Sequence, residues 1–186
     1  INCTVNDTHL TIENGKEITG ESLINIINQT ALFVTTLNHV SKKFDHNIAE
    51  CLAVNDLLKV ESFNSLKENE ILKAISVLNP GASEPDKTDW QVNIFSESIE
   101  FFRFVRGVKN TKILYKQQLE APEFINLSRI GESLSNYFNR HCTLTVKSTE
   151  YKVSLPSKML EIIIENGKKG LGIQRFKGLG EMNAEQ

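Results

Sequence analysis

Arg175 and Lys177 stand two residues apart, with Gly178 and Gly180 directly after them and Glu181 behind. On an extended strand, residues two apart project from the same face, so both cations would point the same way. The glycines remove two side chains from a tight turn, which lets backbone N–H groups approach an anion. Together these residues make a compact phosphate-facing element. An ordinary strand and turn with solvated cations has the same spacing, so Lys-Gly-Leu-Gly alone does not specify the chemistry.

A second cationic group lies at Arg103, Arg106, Lys109, Lys112 and Lys116, interleaved with Phe101, Phe102, Phe104 and Tyr115 and with no acid between residues 101 and 119. On a hairpin this could be a basic ribbon facing DNA. A solvated strand face over an aromatic core fits the same residues and is the favoured alternative, because an exposed cationic edge also discourages sheet-edge aggregation. His9, His39, His46 and His141 are scattered, and none is assigned a ligand or base role. Cys142 beside His141 resembles a dyad superficially, but neighbouring strand residues face opposite ways. No Asp-x-Asp occurs, and Asp86 and Asp89 are three apart in a loop.

The charge is unevenly spread over the 186 residues: the net charge is −7 over residues 1–98 and +5 over 99–186. The asymmetry suggests that the second half faces an anion, although two surface compositions without a partner would look alike. Three cysteines without Cys-x-x-Cys suggest neither a disulfide framework nor a zinc site, which favours a reducing, cytoplasmic setting. No apolar run approaches the roughly 20 residues that span a bilayer. The chain begins at Ile1 and stops three residues after Asn183, so both ends look cut from a longer polypeptide.

The positioning elements are read from periodicity. Residues 2–5 and 8–13 alternate around Asn6-Asp7 as a possible hairpin, and Asn14-Gly15-Lys16 is a turn. Leu23, Ile27, Ala31, Val34, Leu37, Val40 and Phe44 recur every three or four residues, which predicts a long helix over 20–44. Ile24, Ile26, Leu32 and Phe33 widen its apolar face. Asp45 would cap a helix over 46–53, and a third helix is expected over 65–78. Residues 79–89 read as a loop between a helical front (1–80) and a β-rich centre (90–155). Strands are expected at 90–95, 99–108 and 112–119, with the turn at Val108-Lys109-Asn110-Thr111. A helix is expected over 127–139, and a hairpin from 142–147 and 150–155 about Ser148-Thr149. Pro156-Ser157 would then open a helix with Ser157 as N-cap, ended near Asn166 by Gly167. Leu171–Phe176 completes the series as a short strand.

The uninterrupted string Ile173-Gln174-Arg175-Phe176-Lys177-Gly178-Leu179-Gly180-Glu181-Met182-Asn183 resembles the segment I-Q-R-Y/F-K-G-L-G-E-M-N of the B subunits of bacterial DNA gyrase, a family of type IIA topoisomerases. Chance agreement over about ten positions is very small. The likeness continues upstream through the helix from Ser157 and, more loosely, through Gly131-Glu132-Ser133-Leu134. The resemblance implies an α+β chain: a long helix with short companions, β-hairpins, and a C-terminal piece of an α/β TOPRIM core. Residues 1–165 would be an insert of the type found in Gram-negative members, and residues 166–186 would re-enter the TOPRIM domain.

By that resemblance the whole protein would use ATP and Mg²⁺ to supercoil DNA negatively, in partnership with gyrase A and with the other domains of gyrase B. The Mg²⁺ ligands would lie before Ile1, as closely spaced carboxylates suit a hard cation. The chain by itself would be architectural and inert. Arg175 and Lys177, with Gly178 and Gly180, would meet DNA phosphates, and Glu181 would orient Lys177 or the turn rather than bind a metal. The corresponding subunit of topoisomerase IV carries a similar R-F/Y-K-G-L-G-E-M string, and the long insertion and Asn183 favour gyrase. A stand-alone nucleic-acid-binding module using residues 101–119, or a protein-interaction scaffold, are the alternatives from other classes.

Overall fold

The computed structural model describes residues 8–12, 15–81, 84–138 and 142–170, with side chains of the last helix through residue 167. Helices and two antiparallel sheets make a mixed α+β chain, as expected. Helix α1 (Gly20–Val40) buries Leu23, Ile26, Ile27, Thr30, Phe33, Leu37 and Val40. At about 1.5 Å per residue it is roughly 31 Å long, shorter than the span to Phe44 predicts, because residues 41–44 form a tight turn closed by the Phe44 N–H on the Val40 carbonyl. The buried stripe is also rotated from the expected one. Thr30 and Phe33 take the central places assigned to Ala31 and Val34, and Leu32 is 57% exposed.

Helix α2 (His46–Val54) starts where expected, because the Asp45 carboxylate accepts the N–H groups of Asn47 and Ile48 at 3.1 and 3.2 Å. Every residue from Ile48 to Val54 is buried, so α2 is enclosed on all sides after its first two residues. Its closing turn passes through Asp56, in the left-handed region with φ 59°. There the Asp56 and Leu57 N–H groups return to the Ala53 and Leu52 carbonyls, a Schellman closure.

The predicted third helix is split. A 3-10 turn at Phe63–Ser65 precedes helix α3 (Glu68–Ile75), and a second 3-10 turn at Ser76–Leu78 follows it. Ile71, Ala74 and Ile75 are its buried residues. Helix α4 (Pro122–Phe138) buries Phe124, Leu127, Ser128, Gly131, Leu134 and Phe138 and packs against both α1 and α2. Gly131 makes the second contact close: a Cβ placed on it would sit 2.4 Å from the Ala53 carbonyl oxygen.

The first sheet has strand order β2-β1-β6-β7, built from β1 (Thr8–Thr11), β2 (Glu17–Ile18), β6 (Cys142–Val146) and β7 (Thr149–Val153). Its centre is a pairing that spacing does not reveal. β1 lies antiparallel to β6, with Leu10 opposite Leu144, and β2 returns beside β1 across the turn at Gly15. The expected partner of β1, residues 2–5, lies outside the described residues. The second sheet has order β3-β4-β5, from β3 (Gln91–Ile94), β4 (Ser98–Val105) and β5 (Val108–Tyr115).

Two hairpin turns differ in register from the expectation. The β4–β5 turn is Arg106-Gly107, with φ 50° and 76°, so Val108–Thr111 is strand rather than turn. Two consecutive left-handed residues give the twist that a two-residue hairpin requires. The β6–β7 turn is Lys147-Ser148, with Lys147 at φ 57°. The helical front and the β-rich centre are interlocked in space: β1 completes the sheet of β6 and β7, and α4 fills the angle between α1 and α2.

Candidate functional site

Arg175, Lys177, Gly178, Gly180 and Glu181, and the strand expected at 171–176, lie outside the described residues. The helix that leads to them is described. Helix α5 (Pro156–Gly170) buries Met159, Ile162 and Ile163 and packs on α1 and the first sheet. It runs through Gly167, so that glycine does not end it. Proline at the first helical position suits a site whose N–H has no intrahelical partner.

Ser157 is not the N-cap of α5 but lies in its first turn, and the cap comes from another helix. The Glu50 carboxylate on α2 accepts the Ser157 N–H through Oε1 at 2.7 Å and the Ser157 hydroxyl through Oε2, also at 2.7 Å. Glu50 is 1% exposed. Burial pushes its carboxyl pKa above the ordinary value, against the two Ser157 hydrogen bonds and the neighbouring His46, which lower it. The signal for it in the sequence is an acid inside the apolar run Ile48–Val54, which must find a partner when buried. The spacing of residues does not show which partner.

Each cation of the β4–β5 region has a neighbour. The Arg103 guanidinium lies 4.5 Å from the centre of the Trp90 ring, with its Nε buried and without a hydrogen-bond partner among the described residues. Lys109 bonds to Glu100 at 2.8 Å and lies 4.4 Å above the Phe102 ring. Lys112 faces Asp45 at 3.7 Å, and Lys116 reaches Asn64 at 3.4 Å. Arg106 is the most open of them, 81% exposed in its side chain and 3.5 Å from Asp86. Strand register divides the group: Arg103 and Lys112 share the inward face with Phe101 and Leu114, whereas Lys109 shares the outer face with Phe102 and Phe104. The cations therefore do not form one stripe.

His39 lies near the end of α1, His46 begins α2, and His9 lies on β1. His141 is outside the described residues. The Cys142 thiol donates to the Val153 carbonyl at 3.1 Å, and burial pushes its pKa up to about 11, which makes it a poor nucleophile. Among the described residues no three His, Cys, Asp or Glu side chains converge in a way that could hold a metal ion. No described helix is long and apolar enough to cross a membrane.

No protein-family model matches the chain. It is 44% identical over all 186 residues to the DNA gyrase B subunit of Rickettsia bellii, and 45% identical over the same length to that of Rickettsia prowazekii. The DNA gyrase B subunit of Caulobacter vibrioides is 26% identical over 182 residues. The chain spans 23% of the length of each Rickettsia relative and 22% of the Caulobacter one. With 44–45% identity to these Rickettsia relatives over an alignment that covers all 186 residues, the chain belongs to the DNA gyrase B family, in which it corresponds to rather less than a quarter of the relatives' length.

Proposed function

We propose that this chain serves as an architectural part of a DNA gyrase B subunit, within an enzyme that negatively supercoils DNA at the expense of ATP. The observation that carries the proposal is the 44% identity to a gyrase B relative over all 186 residues. In this reading the enzyme is a type IIA topoisomerase of the cytoplasm. Its partners are DNA, gyrase A and the remaining domains of gyrase B, and the isolated chain is inactive. Residues 1–165 form the insert and 166–186 the end of the TOPRIM domain.

Arg175 and Lys177 neutralise backbone phosphates near the cleavage site, Gly178 and Gly180 let the backbone close in, and Glu181 orients Lys177. Neutralising phosphate releases condensed counterions, so the contribution weakens as salt rises. Of the hairpin cations, Arg106 is the best placed to meet a further phosphate, being the most open. Mg²⁺ and ATP would be held by other parts of gyrase B, and no step through either is assigned to this chain.

The site is tested by Arg175→Ala and Lys177→Ala in full-length gyrase B, with supercoiling of relaxed plasmid and duplex affinity as readouts. Each substitution is expected to lower both, and to flatten the dependence of log affinity on log salt by about 0.9 per lost phosphate contact. Unchanged affinity and slope in both variants would remove the phosphate role. Loss of decatenation in place of supercoiling would transfer the chain to topoisomerase IV.

A further inference from the structure

We propose that the outer edge of β5 docks an extended segment of a partner protein as an added antiparallel strand, apolar at its N-terminal end and acidic at its C-terminal end. β5 has a neighbour on one side only, because the second sheet has the order β3-β4-β5. Backbone groups alternate in direction along a strand. The Lys116 N–H donates to the Glu97 carbonyl at 3.0 Å, so by alternation the even-numbered residues of β5 face β4. The Phe104 N–H and carbonyl turn the other way, to Thr88, so Phe104 and its partner Lys109 share no backbone hydrogen bond. Lys109, Thr111 and Ile113 therefore present their backbone N–H and C=O groups outward, and among the described residues nothing bonds to these groups. The Tyr115 N–H also points outward, but the Gln118 side-chain oxygen accepts it at 2.9 Å and closes that end of the strip.

The strip is graded. Lys109, Thr111, Ile113 and Tyr115 share the outer face, which passes from a cation at the hairpin end to two exposed apolar side chains at the other. β5 carries two lysines and no acid. The acids that meet them stand back from the edge: Glu100 on β4, 18% exposed in its side chain against 45% for Lys109, and Asp45 before α2. The field at the edge is that of its lysines, which attracts carboxylates. A second copy of this chain suits the edge poorly, because β5 laid antiparallel on itself adds two more lysines and again no acid. A nucleic-acid backbone also suits it poorly, because phosphates have no N–H for the outward carbonyls, whereas a strand satisfies donors and acceptors together. Antiparallel pairing is the more stable arrangement, and it sets the acidic end of the segment beside Lys109.

The test uses full-length gyrase B and the synthetic peptide acetyl-Val-Thr-Val-Thr-Glu-Thr-Glu-amide. In antiparallel register its valines lie beside Tyr115 and Ile113 and its glutamates beside Thr111 and Lys109. Hydrogen exchange resolved to single amides is the first readout. The Lys109, Thr111 and Ile113 N–H groups are expected to exchange freely without peptide and to be slowed by about tenfold at saturation. Asn110, Lys112 and Leu114, already bonded to β4, are expected to stay unchanged. Thr111→Pro removes an outward N–H and no bond to β4, and is expected to weaken peptide binding by about tenfold. Retained protection of Asn110 and Leu114 in that variant checks that the hairpin is intact. Lys109→Glu, or lysine in place of glutamate in the peptide, is expected to weaken binding by about fivefold.

No protection of the three outward amides at any peptide concentration would overturn the inference. So would protection in gyrase B alone: the edge would already be covered, by the rest of the polypeptide where protection is independent of protein concentration and by a second copy where it grows with it. Protection by a DNA duplex and not by the peptide would give the edge to nucleic acid. Equal affinity for the glutamate and lysine peptides would overturn the acidic character of the partner.

Discussion

The carboxylate of Glu50 accepts two hydrogen bonds from one residue, Ser157, one from its backbone and one from its side chain, each 2.7 Å long. Glu50 lies inside the buried and otherwise apolar run Ile48–Val54 of one helix, and Ser157 lies in the first turn of another. The pair satisfies both a buried charge and a helix terminus, whose first N–H groups have no intrahelical acceptor.

Removing one side of such a pair leaves the other buried and short of a partner. Ser157→Ala is therefore expected to cost about 1–3 kcal/mol of stability. Urea denaturation of the chain checks this, and a change below about 0.5 kcal/mol would mean that water or another donor replaces the hydroxyl at Glu50.

The pH response of Glu50 has a definite sign. Burial raises its folded-state pKa above the ordinary carboxylate value, against the lowering by Ser157 and His46. Between those two values the folded chain binds more protons at this site than the unfolded chain, so stability falls as pH rises through the window. Glu100 and Glu123, held low by Lys109 and Lys43 respectively, act in the opposite sense. Comparison of wild type with Glu50→Gln cancels their contribution. Melting temperatures measured across mildly acidic pH should fall more steeply with rising pH in the wild type, and parallel curves would contradict the assignment.

Gly131 sets how closely α4 approaches α2. A methyl group there would meet the Ala53 carbonyl oxygen at 2.4 Å, well inside contact distance, and the obstacle is backbone rather than a side chain that can turn away. Alanine is ordinarily the better helix former by about 1 kcal/mol, yet Gly131→Ala is expected to destabilise by about 1–3 kcal/mol through overpacking. Chemical denaturation decides the sign, and a stabilised variant would mean that the two helices can separate freely.

Much of this architecture is legible in local sequence. The Asp45 cap, the long amphipathic run before it and the alternating strands near Ile99 and Leu144 each follow from residue type and spacing. What escaped was either rotation or distance. Leu32 fits the periodicity of α1 as well as Phe33 does, and it is tertiary packing of α1 on elements far along the chain that buries Phe33 and leaves Leu32 exposed. The β4–β5 turn falls on Arg106-Gly107 although Asn110 is the more usual turn former, because cross-strand pairing of Phe101 with Lys112 fixes the register. The pairing of β1 with β6 and the Glu50–Ser157 contact join residues more than a hundred positions apart, which no local pattern encodes. The cations of the candidate site were legible as a motif, and it is the helix leading to them that the structure adds.

The hairpin cations offer a separate check on where DNA binds. Lys109 is already paired with Glu100 and stacked on Phe102, whereas Arg106 is 81% exposed in its side chain. In full-length gyrase B, Arg106→Ala is expected to lower duplex affinity more than Lys109→Ala at low salt, with both effects smaller than that of Lys177→Ala. The reverse order would make the hairpin the main contact and favour a stand-alone binding module.

The most direct test of the account is a replacement. The corresponding 23% of Rickettsia bellii gyrase B is exchanged for this chain, and the chimera is combined with gyrase A and relaxed plasmid in the presence of ATP and Mg²⁺. The account predicts ATP-dependent negative supercoiling, lost when Arg175 and Lys177 are both changed to alanine. A soluble, folded chimera that binds gyrase A and hydrolyses ATP but introduces no supercoils would contradict it.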